Sequence, residues 1–214
     1  MCANGCSENS RPHRRVRVWL PVSLAMLAAV TGCVTQKSIL LPELDSWQRR
    51  VIVLAAVDNW DFNGRIAVKT DNDGFNGKLR WQQRGDSFKA TVSGPLGIGT
   101  VRIEADGAAI VLTDKDGVRT RLDDAELELR FRYGWTIPVT SLRYWALGIP
   151  DPELPYDTEF DASGQLVVLD QRDWHVNISR YRDGGGQQMP GRLSATNADT
   201  RVRLAIDDWL FLDQ

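Results

Sequence analysis

The chain has 214 residues with 26 basic and 28 acidic side chains, a formal net charge of −2. Hydrophobic residues make up 43% and charged residues 25%, an ordinary globular composition that excludes wholesale disorder and collagen-like repeats. The length suits one domain or two small ones, the body has no basic block of the kind nucleic acid requires, and three cysteines cannot build a disulfide framework.

The first element is a leader. Arg11, Arg14, Arg15 and Arg17 precede an apolar run from Val18 to Val30, and the small residues Thr31 and Gly32 lead to Cys33. Basic, apolar and small residues in that order make a secretory signal peptide. The apolar run falls short of the roughly 20 residues a membrane span needs. Val30-Thr31-Gly32-Cys33 resembles a bacterial lipobox. That resemblance implies cleavage after residue 32, lipid on Cys33, and a tether over 33–42. Several acyl chains anchor a protein firmly on a bilayer. Residue 34 is Val rather than Asp, and by resemblance to the bacterial sorting rule the protein should go to the outer membrane.

Residues 43–214 read as a single domain. Leu44, Trp47, Val51, Leu54 and Ala55 recur at helical spacing and predict an amphipathic helix. Its polar face is not rich in Lys and Arg, so packing on a sheet fits it better than lying on a membrane. Strands follow. Leu79 and Trp81 alternate with Lys78, Arg80 and Gln82, and Phe88, Ala90 and Val92 with Lys89 and Thr91. Gly94-Pro95-Leu96-Gly97 then reads as an exposed turn with an apolar tip that Ile98 widens. Val101 and Ile103 alternate with Arg102 and Glu104. A helix is predicted from Asp123-Asp124-Ala125 to just before Gly134, and a second one after Pro138, capped by Thr140 or Ser141 and stopped by Gly148 and Pro150. Both are apolar enough to plug an open barrel. Trp174, Val176 and Ile178, and then Val202, Leu204 and Ile206, complete the alternating runs. Period-two alternation gives one apolar and one wet face. Turn signals at Gly85-Asp86, Asp106-Gly107, Asp114 to Gly117 and Ser163-Gly164 separate the runs, as a strongly curved sheet or barrel requires.

Catalytic signatures do not emerge. Beyond the leader, His175 is the only histidine and lies on the polar side of its strand. No zinc or transition-metal set can be assembled around it, and no serine sits in a nucleophile elbow. Gly97-Ile98-Gly99 lies between strands rather than at a strand-to-helix turn, which argues against a phosphate cradle. Asp123-Asp124 and Asp207-Asp208 are better explained by capping and solvation. Trp47, Trp60, Trp81, Trp135, Trp145, Trp174 and Trp209 follow the leader. They make either an aromatic-rich core or the lining of an interior that receives an apolar ligand.

Seven segments in order resemble the LolB family of outer-membrane lipoprotein receptors. They are Trp60 to Ala67, Leu79 to Gln83, Gly94 to Gly97, Asp123 to Glu126, Ile137 to Pro150, Trp174 to Val176, and Asp208-Trp209. The long leader with Cys2 and Cys6, and Gly184-Gly185-Gly186, read as a loop, depart from it. The resemblance implies a mainly β fold: an incomplete antiparallel β-barrel, or half-barrel, closed by helices around an apolar cavity. It implies a monomeric, non-enzymatic receptor without cofactor or metal, which takes lipoproteins from the soluble carrier LolA and inserts them into outer-membrane lipid. Leu79, Trp81, Phe88, Ala90, Val101 and Trp145 are the candidate cavity residues, and Pro95, Leu96, Gly97 and Ile98 the loop that drives insertion. The alternative classes are a structural envelope lipoprotein and a carrier of another lipid.

Overall fold

Ser46 stands in extended backbone and its hydroxyl accepts from the Arg49 N–H at 3.3 Å, which starts helix α1 (Trp47–Ala55). The structure, a computed structural model, describes residues 37–94, 99–107, 109–134 and 136–213. Leu54 is fully buried, and Leu44, Trp47 and Val51 pack half-buried against the core, so α1 lies on the sheet as expected.

Six strands follow: β1 (Asn59–Lys69), β2 (Gly74–Arg84), β3 (Ser87–Ser93), β4 (Val101–Asp106), β5 (Ala109–Thr113) and β6 (Arg119–Leu122). Two helices come next, α2 (Ala125–Tyr133) and α3 (Val139–Leu147). The chain then forms β7 (Tyr156–Phe160), β8 (Leu166–Gln171), β9 (Trp174–Ser179), β10 (Arg182–Gly184), β11 (Gln187–Met189), β12 (Arg192–Thr196) and β13 (Arg201–Phe211). Eleven strands make one antiparallel sheet in the order β6-β5-β4-β3-β2-β1-β13-β12-β9-β8-β7. The sheet stays open, with β6 and β7 as its edges. The chain between those edges is α2 and α3, so connectivity alone makes the helices span the open side. This is the half-barrel that the resemblance implies.

The central ladder pairs β1 with β13, the first strand with the last. Its register shifts between Asn63 and Gly64, a bulge that leaves Asp207 as the extra residue on β13. Only glycine fits at the shift, because a Cβ on Gly64 would run into the Ala205 carbonyl. The Gly184 to Gly186 stretch is not an irregular loop. Gly185 and Gly186 both have positive φ (62° and 76°), and they form the two-residue turn of the β10–β11 hairpin.

The helices differ in how they are held. Asp124 caps α2 by accepting from Leu127 N–H (2.9 Å), and Glu128 reciprocates by accepting from Asp123 N–H (2.7 Å). That backbone hydrogen bond lowers the Glu128 pKa. Yet among its described side chains α2 buries only Ala125 and Leu129, with Leu127 and Phe131 exposed; Phe131 is 92% exposed. The plug expected from its composition is therefore a surface helix, tied down by Arg172–Glu126 (2.9 Å) and Arg130–Asp199 (3.0 Å). Exposed pairs contribute about 0–1 kcal/mol each. By contrast, α3 buries Leu142, Trp145, Ala146 and Leu147. It starts at Val139 behind Pro138, without the side-chain cap expected from Thr140 or Ser141. Ser141 lies inside the helix and donates to Asp151 (3.0 Å).

Residues from Gln36 onward form one compact unit that holds a continuous hydrophobic core from Leu41 to Phe211, enough for this segment to fold by itself. Arg50 and Tyr181 join α1 to it. The Arg50 guanidinium donates to the Gln188 carbonyl (2.9 Å) and lies over the Tyr181 ring, and burial lowers its pKa. Tyr181 donates to the Leu166 carbonyl (2.8 Å), and burial pushes its phenol up to about 12. Below about pH 10 the tyrosine is protonated in both folded and unfolded chains. Above that the unfolded chain ionises first, so stability should fall by about 2 kcal/mol between about pH 10 and pH 12. Urea titrations across this range should show the loss, and Tyr181→Phe should remove that part of it.

Candidate functional site

The inner face of the sheet divides into a solid half and a hollow half. In the solid half Trp60, Phe62 and Trp81 stack at 6.1–6.2 Å, and Phe88 stacks on Trp81 at 4.7 Å. Trp209 closes on Phe62 at 5.3 Å. Beyond Trp81 the aromatic packing stops and a cavity of about 100 Å³ begins. Its sheet wall runs from Ile66 and Leu79 across Ala90 to Val101 and Ile103, and its roof is Ile137, Val139 and Leu142 at the start of α3.

The lining residues are all apolar. Trp81 carries the one polar group near them, and its indole N–H points to Gln83 Oε1 (3.1 Å), whose amide donates on to the Gly85 carbonyl (2.7 Å). The cavity can therefore hold hydrocarbon but offers a polar ligand nothing. The void is smaller than the roughly 150 Å³ apolar cavity that accommodates benzene. A longer chain must displace part of the roof.

Leu79, Trp81, Ala90 and Val101, chosen from alternation, come together at this cavity. Phe88 and Trp145 do not. Phe88 is consumed by its stack on Trp81, and Trp145 is a fully buried core residue whose indole donates to Gln171 (2.9 Å). Ile66, Phe75, Val92, Ile103 and the roof residues Ile137, Val139 and Leu142 were missed. Val92 and Ile103 share the parity of the chosen residues, and that signal was sufficient to find them. Among the described residues the tryptophans resolve mostly towards core, with Trp60, Trp145 and Trp174 buried and only Trp81 at the cavity.

Cys33 and Pro95, Leu96, Gly97 and Ile98 lie outside the described residues. The flanks of that loop are placed, however. Val92 and Val101 are paired across β3 and β4 and both line the cavity, so segment 94–100 springs from its rim. His175 is exposed and its Nδ1 lies 2.6 Å from Asp170. Asp124 caps α2, Asp207 pairs with Arg65 (2.8 Å), and Asp208 accepts from Asn63 (2.8 Å). Among the described residues no cluster of His, Cys, Asp and Glu is arranged to hold a metal ion.

Comparison with known proteins agrees with this geometry. The outer-membrane lipoprotein LolB of Nitrosococcus oceani is 35% identical over 128 residues, 59% of this chain and 64% of its own length. That of Halorhodospira halophila is 34% identical over 128 residues, 59% of this chain and 63% of its own. The matched stretch thus spans a little under two thirds of these relatives. The LolA superfamily protein NE2245 from Nitrosomonas europaea has the same fold, with a TM-score of 0.51 at 10% identity over 74% of this chain and 88% of its own. The family profile described as outer membrane lipoprotein LolB matches residues 58–209, which include the whole cavity wall and roof, and the chain belongs to that family.

Proposed function

We propose that this protein is an outer-membrane receptor for lipoproteins, anchored by lipid on Cys33, which accepts client lipoproteins from the periplasmic carrier LolA and inserts them into the membrane. The observation that carries this reading is a cavity lined by apolar residues alone, between an open sheet and a helical roof. Acyl chains are the ligand it suits, since each buried methylene contributes about 0.8 kcal/mol. The family supports lipoprotein handling rather than catalysis. No energy source is needed if the receptor binds acyl chains more tightly than the carrier does.

The small volume at rest implies a gate. Among its described side chains helix α2 buries two and is otherwise tied by surface ion pairs, so it is more lightly held than α3. We assign opening to α2 and its link to α3, with most of α3 staying in place. The loop at Pro95, Leu96, Gly97 and Ile98, rooted at the cavity rim, would enter the bilayer interface and lower the barrier for acyl chains to leave.

The direct test mixes this protein with LolA loaded with a lipoprotein and follows the lipoprotein, first onto the receptor and then into liposomes. Transfer in both steps is expected. Leu96→Glu should accept lipoprotein normally and release it poorly, because a charge resists entry into hydrocarbon. Failure of the first step in the unaltered protein would sink the receptor reading.

A further inference from the structure

We propose that the outer face of the sheet carries a second site, a cationic groove that holds the phosphate headgroup of an anionic membrane lipid. The proposal rests on the reading that this protein works against a bilayer.

Strand register builds the groove. Across β3, β2, β1, β13, β12 and β9 one outer row reads Ser93, Lys78, Arg65, Ala205, Arg192 and Ser179. Arg203 stands in the next row, between Ala67 and Ser194. Small residues form the floor and long cationic ones the walls, leaving a depression of about 670 Å³ on the face opposite the acyl-chain cavity. No acidic residue lines it. Arg65 is held by Asp207 at 2.8 Å. Lys78, Arg192 and Arg203 are exposed, and among the described residues none of them has a carboxylate partner.

This arrangement is not a by-product of composition, because the chain as a whole is acidic. It also works against stability. Arg65 lies directly opposite Lys78. Like charges at such positions repel and destabilise the pair. An anion in the groove would relieve that repulsion. Arginine forks suit phosphate oxygens bidentately, and lysine adds a point charge.

Two features favour a lipid headgroup over an acidic protein. The site is a depression of about 670 Å³ rather than a flat patch. In addition, Ser93 and Gly94 form part of its wall and lead straight into the loop proposed to touch the bilayer. A loop seated in the interface would bring the groove to headgroup level.

The test uses residues 36–214, without the lipid anchor, co-sedimented with vesicles of phosphatidylcholine alone or of equimolar phosphatidylcholine and phosphatidylglycerol. The unaltered domain should prefer the anionic vesicles, and salt should weaken that preference. Each cation near an anionic surface is worth about fivefold in partitioning, so Lys78→Gln/Arg192→Gln/Arg203→Gln should lose roughly a hundredfold. Arg119→Gln/Arg121→Gln, on the edge strand β6, should keep the preference. Absence of a preference in the unaltered domain, or an equal loss per charge in the β6 variant, would overturn the groove. So would a triple variant that binds vesicles normally but accepts lipoprotein slowly from LolA, which would assign the groove to an acidic partner. Binding of an apolar fluorescent probe, measured on the same proteins, reports the cavity separately. A domain that binds no probe overturns the cavity reading, while the vesicle comparison still decides the groove.

Discussion

Ala90→Trp is expected to reduce binding of an apolar fluorescent probe at least tenfold while leaving the fold intact. Ala90 faces the cavity from the middle of β3, with Trp81 and Ile103 as its cross-strand neighbours. An indole at that position would take up space of the same order as the void of about 100 Å³. It would also fix the roof residues Val139 and Leu142 against the sheet. Overpacking typically costs about 1–3 kcal/mol, here partly offset by filling an empty space. The protein should therefore remain folded by circular dichroism. Lys89→Trp, on the outer face of the same strand, is the control and should bind the probe as before. The two variants add the same side chain to adjacent residues, so any difference between them reads the face and not the chemistry. Undiminished probe binding by Ala90→Trp would mean that apolar ligands go elsewhere.

The largest loss of stability should come from Gln171→Leu. Gln171 is 1% exposed at the end of β8, and its amide makes four hydrogen bonds. The oxygen accepts from the Trp145 indole (2.9 Å) and from the Asp151 N–H (2.9 Å). The nitrogen donates to the carbonyls of Asp151 (2.8 Å) and Leu154 (3.1 Å). One side chain thus ties α3 and the segment after it to the sheet. Leucine fills similar space but strands two donors and two acceptors in the interior. At about 1–3 kcal/mol for each buried group left unpaired, with some relaxation, the cost should be about 3–5 kcal/mol. That is a large part of the 5–15 kcal/mol or so by which domains are stable. Trp145→Phe removes only one of the four bonds and should cost less. Urea unfolding midpoints decide the matter, and a shift for Gln171→Leu no larger than that for Trp145→Phe would show that the network adds little.

These two residues also mark what could be read in the sequence. Ala90 was legible because Phe88, Ala90 and Val92 alternate with polar neighbours, and alternation assigns a face. Gln171 was not legible, since an amide at a strand end gives no sign that it will be buried and fully bonded. The same limit applies to Phe88 and Trp145. Both are apolar and inward, but whether an inward residue meets a neighbour or a void depends on the elements packed opposite it. Helix ends were read well where the signal is local, as at Asp124. They were missed where it is not, as at Pro138, where no side chain caps α3. Strand β1 gave no clean alternation to read, since Asp61 is buried between Trp60 and Phe62 and paired with Arg84 at 2.5 Å. The roles expected for the loop at 95–98 and for Cys33 rest on resemblance, and both lie outside the described residues.

The pairing of β1 with β13 has a kinetic consequence. The ladder at the centre of the sheet joins Trp60 to Phe211, so the strand that completes it is made last. Contacts this distant in sequence slow folding, because a long loop must close before they contribute. Until β13 emerges, β1 can pair only on its β2 side, and Trp60 and Phe62 lack the neighbours Trp209 and Phe211 that cover them. A chain with this topology cannot finish its core from the N-terminal end.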